Sequence, residues 1–223
     1  MKVWIDIKNS HEPLFFKSID SSIIGADFFY TYRDFAEIKK LMLNYNLSGK
    51  QVGNRPEGDI FKRRLMFLMR VLNLALKVPK FELSLSHFSG WSIWASKLRK
   101  RPIICVTDND INPDNSKFFP YINLLFTPKA ISKESLQSQG LKESSLVQFD
   151  GFKEDIYIAD YVPDKNFLDN LPFNNFVTIR PESTQATYNK GNRNSIVPSL
   201  LDIFTSNGIN VLYLPRYRSD IDY

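Results

Sequence analysis

Residues Phe81–Ile111, FELSLSHFSGWSIWASKLRKRPIICVTDNDI, decide the reading of the fold. They run from a short apolar strand through a polar turn to a helix, then to a second apolar strand and an acidic loop. Strands that alternate with helices build a parallel sheet, because a crossover helix returns the chain to pair in the same direction. In open sheets of this kind the ligand crevice lies outside the carboxyl ends of the strands. The polar residues that directly follow the two strands, His87-Phe88-Ser89-Gly90 and Asp108-Asn109-Asp110, therefore stand where a ligand is expected.

The same alternation extends in both directions. VWIDI (3–7), FFYTY (28–32), ELSLS (82–86), IICVT (103–107) and NLLFT (123–127) read as strands. Between them, residues 12–24, 35–45, 60–78 and 89–99 carry apolar residues at three-and-four spacing, as crossover helices do. Ser132, Lys133 and Glu134 open a further helix that stops at Gly140, a residue suited to the position after a helix end. Residues 1–159 thus read as one Rossmann-like α/β domain. Residues 160–175, with two prolines, four asparagines and no strand pattern, read as a linker. From 176 onward a strand running into a polar loop (175–184), a short helix (195–206) and a strand (209–216) open a second Rossmann-like domain. One such unit does not cover both faces of a parallel sheet, so residues 176–223 read as an incomplete second domain.

Composition narrows the class. The chain is 43% apolar and 24% charged, the range of ordinary globular proteins and outside that of disordered ones. A net charge of +5 and a pI near 9.1 favour anionic partners without choosing among them. The basic residues are dispersed and show no aromatic-basic reading surface, which argues against nucleic acid. The single cysteine, Cys105, excludes an internal disulfide and falls in an apolar strand, where it reads as a small buried hydrophobe. MKVWIDIKNS has a charge at position 6 and no long apolar core, so it reads as a first strand and not as a signal peptide, with a cytoplasmic address. Residues 65–78 are interrupted by Arg70, Asn73 and Lys77 and are too short to span a bilayer. The sequence contains no Walker loop, GxGxxG, His/Cys metal spacing or nucleophile elbow, which removes the corresponding kinase, dehydrogenase, zinc and serine hydrolase readings.

Candidate site residues follow from placement. Asn9, Ser10 and His11 come directly after the first strand, where backbone N–H groups and short side chains can hold a hydroxyl or phosphate. His11 is also a candidate general base, its ordinary pKa lying near neutrality; alternatively Ser10 caps the following helix. His87, Ser89 and Gly90 repeat this placement, and two histidines after neighbouring parallel strands would face one crevice. A satisfied, partly buried histidine is the alternative. Asp108 and Asp110 are candidate bases, while Asn109, Asn112 and Asp114 with Pro113 make an ordinary turn. Arg180 is a candidate to grip a diphosphate with Glu182 orienting it, and Arg216 is a weaker candidate of the same kind; an ion pair internal to the protein explains Arg180 and Glu182 equally well. Trp91 and Trp94 read as core. Lys62, Arg63 and Arg64 precede the apolar run 65–78, and Arg70, Lys77 and Lys80 continue the positive charge. That stretch, 62–80, reads as a core helix with a solvated basic edge, or as a peripheral membrane contact.

Taken together, MKVWIDI with Ser10-His11 and Phe15-Phe16, SLSHFSG, ICVTDND, LLFTPKAI, FDGFKEDIYI, VTIRPE and VLYLPRY resemble domain of unknown function 354, from residue 1 to the end. That family is similar to two-domain GT-B glycosyltransferases and to non-hydrolysing UDP-N-acetylglucosamine 2-epimerases. The resemblance implies a nucleotide sugar as substrate, with no cofactor, and a lipid-linked or saccharide acceptor held by the first domain. The chain departs from the epimerases where they carry Gly-Asp after the histidine, since Phe88-Ser89-Gly90 stands here. The first functional expectation is accordingly glycosyl transfer, in which Asp108 or His11 deprotonates the acceptor and Arg180 neutralises the diphosphate. The alternatives are a UDP-sugar epimerase and a non-catalytic carbohydrate-binding protein.

Overall fold

The computed structural model describes residues 1–54, 58–112, 114–159, 161–182, 195–215 and 220. The chain divides into two compact units, Met1–Asp160 and Tyr161–Tyr223. Residues 161–175, read from sequence as a linker, group with the second unit.

The first unit alternates strand and helix throughout: β1 (Lys2–Ile7), α1 (Glu12–Ser22), β2 (Asp27–Asp34), α2 (Ile38–Asn44), β3 (Gly49–Asn54), α3 (Ile60–Lys77), β4 (Leu83–Ser86), α4 (Gly90–Leu98), β5 (Ile103–Val106), α5 (Asn115–Phe118), β6 (Leu124–Pro128), α6 (Lys133–Ser138), β7 (Leu146–Phe149) and α7 (Asp155–Ile158). The seven strands form one sheet in the order β3-β2-β1-β4-β5-β6-β7, every pairing parallel. Two of them, β3 and β7, escape sequence reading for a physical reason. β3 is an edge strand, GKQVGN, with only Val52 buried, and β7 is a four-residue edge strand with no buried residue, so neither shows a strong apolar pattern.

Side chains of β1 alternate between the two faces. Val3, Ile5 and Ile7 join Phe15 and Phe16 of α1 and Ile38 and Met42 of α2 on one side. Trp4 joins Val71 and Leu74 of α3 and Ala95 of α4 on the other. Trp4, Phe15 and Phe16 are wholly buried, each contributing about 1.5–3 kcal/mol of burial free energy. A third apolar cluster under β5 and β6 includes Phe88, Ile93, Phe118, Leu125 and Leu136.

Helix ends follow local chemistry. Asp59 caps α3 by accepting from the Lys62 N–H at 2.8 Å, and the helix stops before Pro79. Ser132 caps α6 in the same way, and Gly140 takes the left-handed conformation just beyond its end, as read from sequence.

The second unit pairs β8 (Val177–Ile179) in parallel with β9 (Val211–Tyr213), joined through α8 (Val197–Ser206). The helix begins two residues later than its sequence pattern suggests. The Ser195 hydroxyl accepts the Val197 N–H while donating to Glu182, and Pro198 sits in the first turn. No helix among the described residues is long and apolar enough to cross a membrane.

Candidate functional site

Strand order reverses at β1, whose neighbours are β2 on one side and β4 on the other. Such a switch point opens a crevice at the carboxyl ends of the two central strands. Asp6, near the end of β1, is wholly buried and anchors the structure beneath it. Arg70 of α3 grips its carboxylate bidentately at 2.7 and 3.0 Å, while Thr31 of β2 and Ser89 each donate a hydroxyl at 2.8 Å. One buried charge thus ties together β1, β2, α3 and the start of α4.

The turn after β1 is held by Glu12. Its wholly buried carboxylate accepts from the Lys8 backbone N–H at 2.7 Å and from the Asn9 side-chain amide at 2.9 Å. Burial pushes the Glu12 carboxyl up to about 7 against the attraction of Lys8, and burial lowers the Lys8 ammonium. Lys8 also donates to the Phe88 carbonyl at 2.8 Å. Phe88 is buried with φ +52°, a backbone conformation uncommon for a bulky residue, and it sits between His87 and Ser89. Two loops from neighbouring strands are thereby pinned to each other.

The pinning sets the two histidines edge to face, with ring centroids 5.0 Å apart. His87 is buried against Phe15, and its Nε2 lies 3.5 Å from an Asp108 oxygen without forming a hydrogen bond. The other Asp108 oxygen accepts from Lys153 at 2.5 Å, and Lys153 also meets Glu154 at 3.3 Å. His11, His87, Asp108 and Lys153, from the loops after β1, β4, β5 and β7, form one polar cluster.

Its electrostatics are consistent. Burial depresses His87 to about 3, overcoming the pull of Asp108, so the ring is neutral at pH 7. His11 moves down to about 4, through loss of solvent around its ring and then the Lys153 charge. Its side chain still reaches solvent. Asp108 is held below the carboxylate range, because the hydrogen bond and charge of the Lys153 ammonium oppose its own desolvation. Lys153 is raised, because Asp108 and then Glu154 outweigh its burial.

The structure sorts the other sequence candidates. Ser10 does not cap α1: the capping position is His11, without a side-chain bond, and the Glu12 N–H is taken by the Asn9 carbonyl. Asn9 is committed to Glu12. Ser89 caps α4 and donates to Asp6 while wholly buried, which makes it part of the scaffold. A Cβ at Gly90 would lie 2.5 Å from the Phe118 ring, so packing by itself accounts for glycine there. Asp110 is held through its backbone carbonyl by Asn115 and Gln139, apart from the Asp108 cluster. In the second unit Arg180 is exposed just past β8. Glu182 spends both oxygens on Ser195 and the Ile196 N–H, so it does not orient Arg180, and no ion pair joins the two among the described residues. Arg216 lies outside the described residues. Cys105 is buried, and its thiol is pushed up to about 12, in keeping with an inert hydrophobe.

Lys153 is the site residue that sequence reading misses. The available signal was its place two residues after Gly151, which has φ +132° in the loop beyond β7. His11, Glu12 and His87 also bring ligand atoms within 4.8 Å of one another, a spacing compatible with a metal ion. Glu12 is already satisfied by two donors, and Lys8 and Lys153 add positive charge, so the cluster suits an anionic or polar ligand better than a cation.

The family model described as "Protein of unknown function (DUF354)" matches residues 1–222. The chain belongs to this family. No curated protein matches this chain. Among solved structures, this DUF354 protein is similar to the UDP-GlcNAc 2-epimerase of Neisseria meningitidis bound to UDP-GlcNAc, with a TM-score of 0.70 and 12% identity over 99% of this chain and 67% of that one. The Methanocaldococcus jannaschii UDP-GlcNAc 2-epimerase in complex with UDP-GlcNAc and UDP gives 0.66 and 16% over 98% and 67%. Anabaena HepE in complex with UDP and glucose gives 0.61 and 15% over 99% and 70%. These likenesses establish a Rossmann-like, GT-B/epimerase type of fold, and the chain spans about two thirds of the length of each.

Proposed function

We propose that the protein binds a nucleotide sugar and transfers its glycosyl group, with His11 as the base at the acceptor hydroxyl. The observation that carries this reading is the His11–His87–Asp108–Lys153 cluster at the sheet's switch point. Solved proteins of the same fold hold UDP or UDP-sugars, which supports the choice of ligand class.

Within the cluster His11 is the better base. Asp108 is tied to Lys153 and held low, while His87 is buried. His11 is neutral at pH 7 and exposed, so its ring is unprotonated and open to an acceptor hydroxyl. A diphosphate placed near Lys153 would offset the charge that helps depress His11 and so strengthen it as a base. Asp108 then faces His87 and holds the Lys153 ammonium in the cluster.

The test is calorimetric titration with UDP, UDP-GlcNAc, UDP-glucose, GDP-mannose and CMP-sugars, followed by NMR of the products. Saturable binding of one nucleotide sugar, retained in His11→Ala with turnover lowered about 100-fold or more, supports the proposal. Binding of none of them overturns it. A product epimerised at C2, with no free nucleoside diphosphate released by transfer, replaces transfer with the epimerase reading, which the likeness of fold also supports.

A further inference from the structure

α3 packs Arg70, Val71 and Leu74 inward and leaves a second apolar face uncovered. Phe61 is 79% exposed and Leu76 82%, and Leu65, Leu68, Met69 and Leu72 between them are each about half exposed, from 45 to 54%. Their spacing runs as one stripe along four turns of the helix. The sequence pattern alone could equally have been a core helix; the structure shows the core on one side and a further row of large hydrophobes in water on the other.

The charges on this helix have one sign. Lys62, Arg63 and Arg64 occupy its first turns and Lys77 its last, and residues 60–77 contain no Asp or Glu. Another side of the same helix borders an open groove of about 650 Å3, walled by Phe67, Trp94 and Phe118 and edged by Arg63, Arg64 and the Asp114–Lys117 pair. Contiguous exposed apolar surface of this kind marks an interaction site.

We propose that the outer face of α3 docks on the surface of an anionic lipid bilayer, with the apolar stripe at the acyl boundary and the cations among the headgroups. A basic rim around an apolar stripe complements that surface and no other part of this helix supplies the opposite charge. A second copy of the chain fits worse. Pairing α3 with itself, in either direction, sets cationic ends against cationic ends with no carboxylate on the helix to compensate. The helix lies on the membrane and does not cross it. This inference is independent of the nucleotide-sugar reading.

Sedimentation of the full chain with vesicles tests it. Vesicles of phosphatidylcholine with phosphatidylglycerol should bind the protein at least about tenfold better than phosphatidylcholine alone, with binding weakened by salt. Lys62→Ser, Arg63→Ser and Arg64→Ser together should lower affinity about 100-fold, from ~1 kcal/mol for each basic residue near an anionic surface and ~1.4 kcal/mol per tenfold. Leu65→Gln, Leu68→Gln and Leu72→Gln should also abolish binding while leaving circular dichroism and melting temperature unchanged, since these side chains are outside the core. No preference for anionic vesicles overturns the proposal. So does a dimer in analytical ultracentrifugation that the leucine variant dissolves, because the second copy would then be the occupant of this face.

Discussion

The ammonium of the buried Lys153 sits 2.5 Å from the Asp108 carboxylate and joins the loop after the last strand of the sheet to the loop after β5. Removing the cation leaves a half-buried carboxylate facing a buried histidine. Lys153→Met should therefore destabilise the fold by about 1–3 kcal/mol, and Lys153→Met with Asp108→Asn should recover part of that loss. Urea unfolding of the single and double variants measures the coupling, and additive effects would show that the pair does not interact.

The Asp6–Arg70 pair carries the heavier structural role. Both side chains are buried, and Thr31 and Ser89 also spend hydroxyls on Asp6. Arg70→Met strands that charge and should cost about 3–5 kcal/mol. The same substitution should disturb the β4–α4 turn through Ser89, so histidine chemical shifts at His87 should move along with the unfolding midpoint.

His87 makes stability depend on pH. Its folded pKa, about 3, lies below the ordinary 6.5, so the unfolded chain takes up the proton first as pH falls. Its contribution is complete above pH 6.5 and is lost progressively as pH drops toward 3, by at most about 1.4 kcal/mol per pH unit. Glu12 acts in the opposite direction. Its folded pKa is raised to about 7, so its contribution is complete below the ordinary 4.5 and is lost as pH rises through 7. Melting curves of His87→Gln and Glu12→Gln against the parent should flatten opposite ends of the pH profile. Parallel profiles would show that neither group titrates differently on folding.

Gly90 should tolerate no side chain at its present spacing. Gly90→Ala places a methyl against the Phe118 ring and should cost about 1–3 kcal/mol. Adding Phe118→Leu should return part of it. Were Gly90 reserved for a ligand instead, the alanine variant would keep its melting temperature and lose only binding.

Cys105 should resist thiol reagents in the native protein and react only on unfolding, since it is buried and its thiol is pushed up to about 12. Fast labelling under native conditions would mean that β5 opens.

Local pattern in the chain determined the alternation of strands and helices, the parallel sheet and the polar turns at the strand ends. Those features depend on periodic burial and capping chemistry, which neighbouring residues encode. His11, His87 and Asp108 were legible for that reason, since each directly follows an apolar strand. The membership of the site was decided in three dimensions. β1 lies beside β4 only because of the strand order, and that contact brings His11 to His87. Lys153 and the Asp6–Arg70 pair are charged residues whose burial depends on partners distant in the chain, and Ser89 and Gly90 are held in scaffold contacts by Asp6 and Phe118. Desolvation of a charge is a property of everything packed around it, so no local stretch of sequence records it; only the folded structure does.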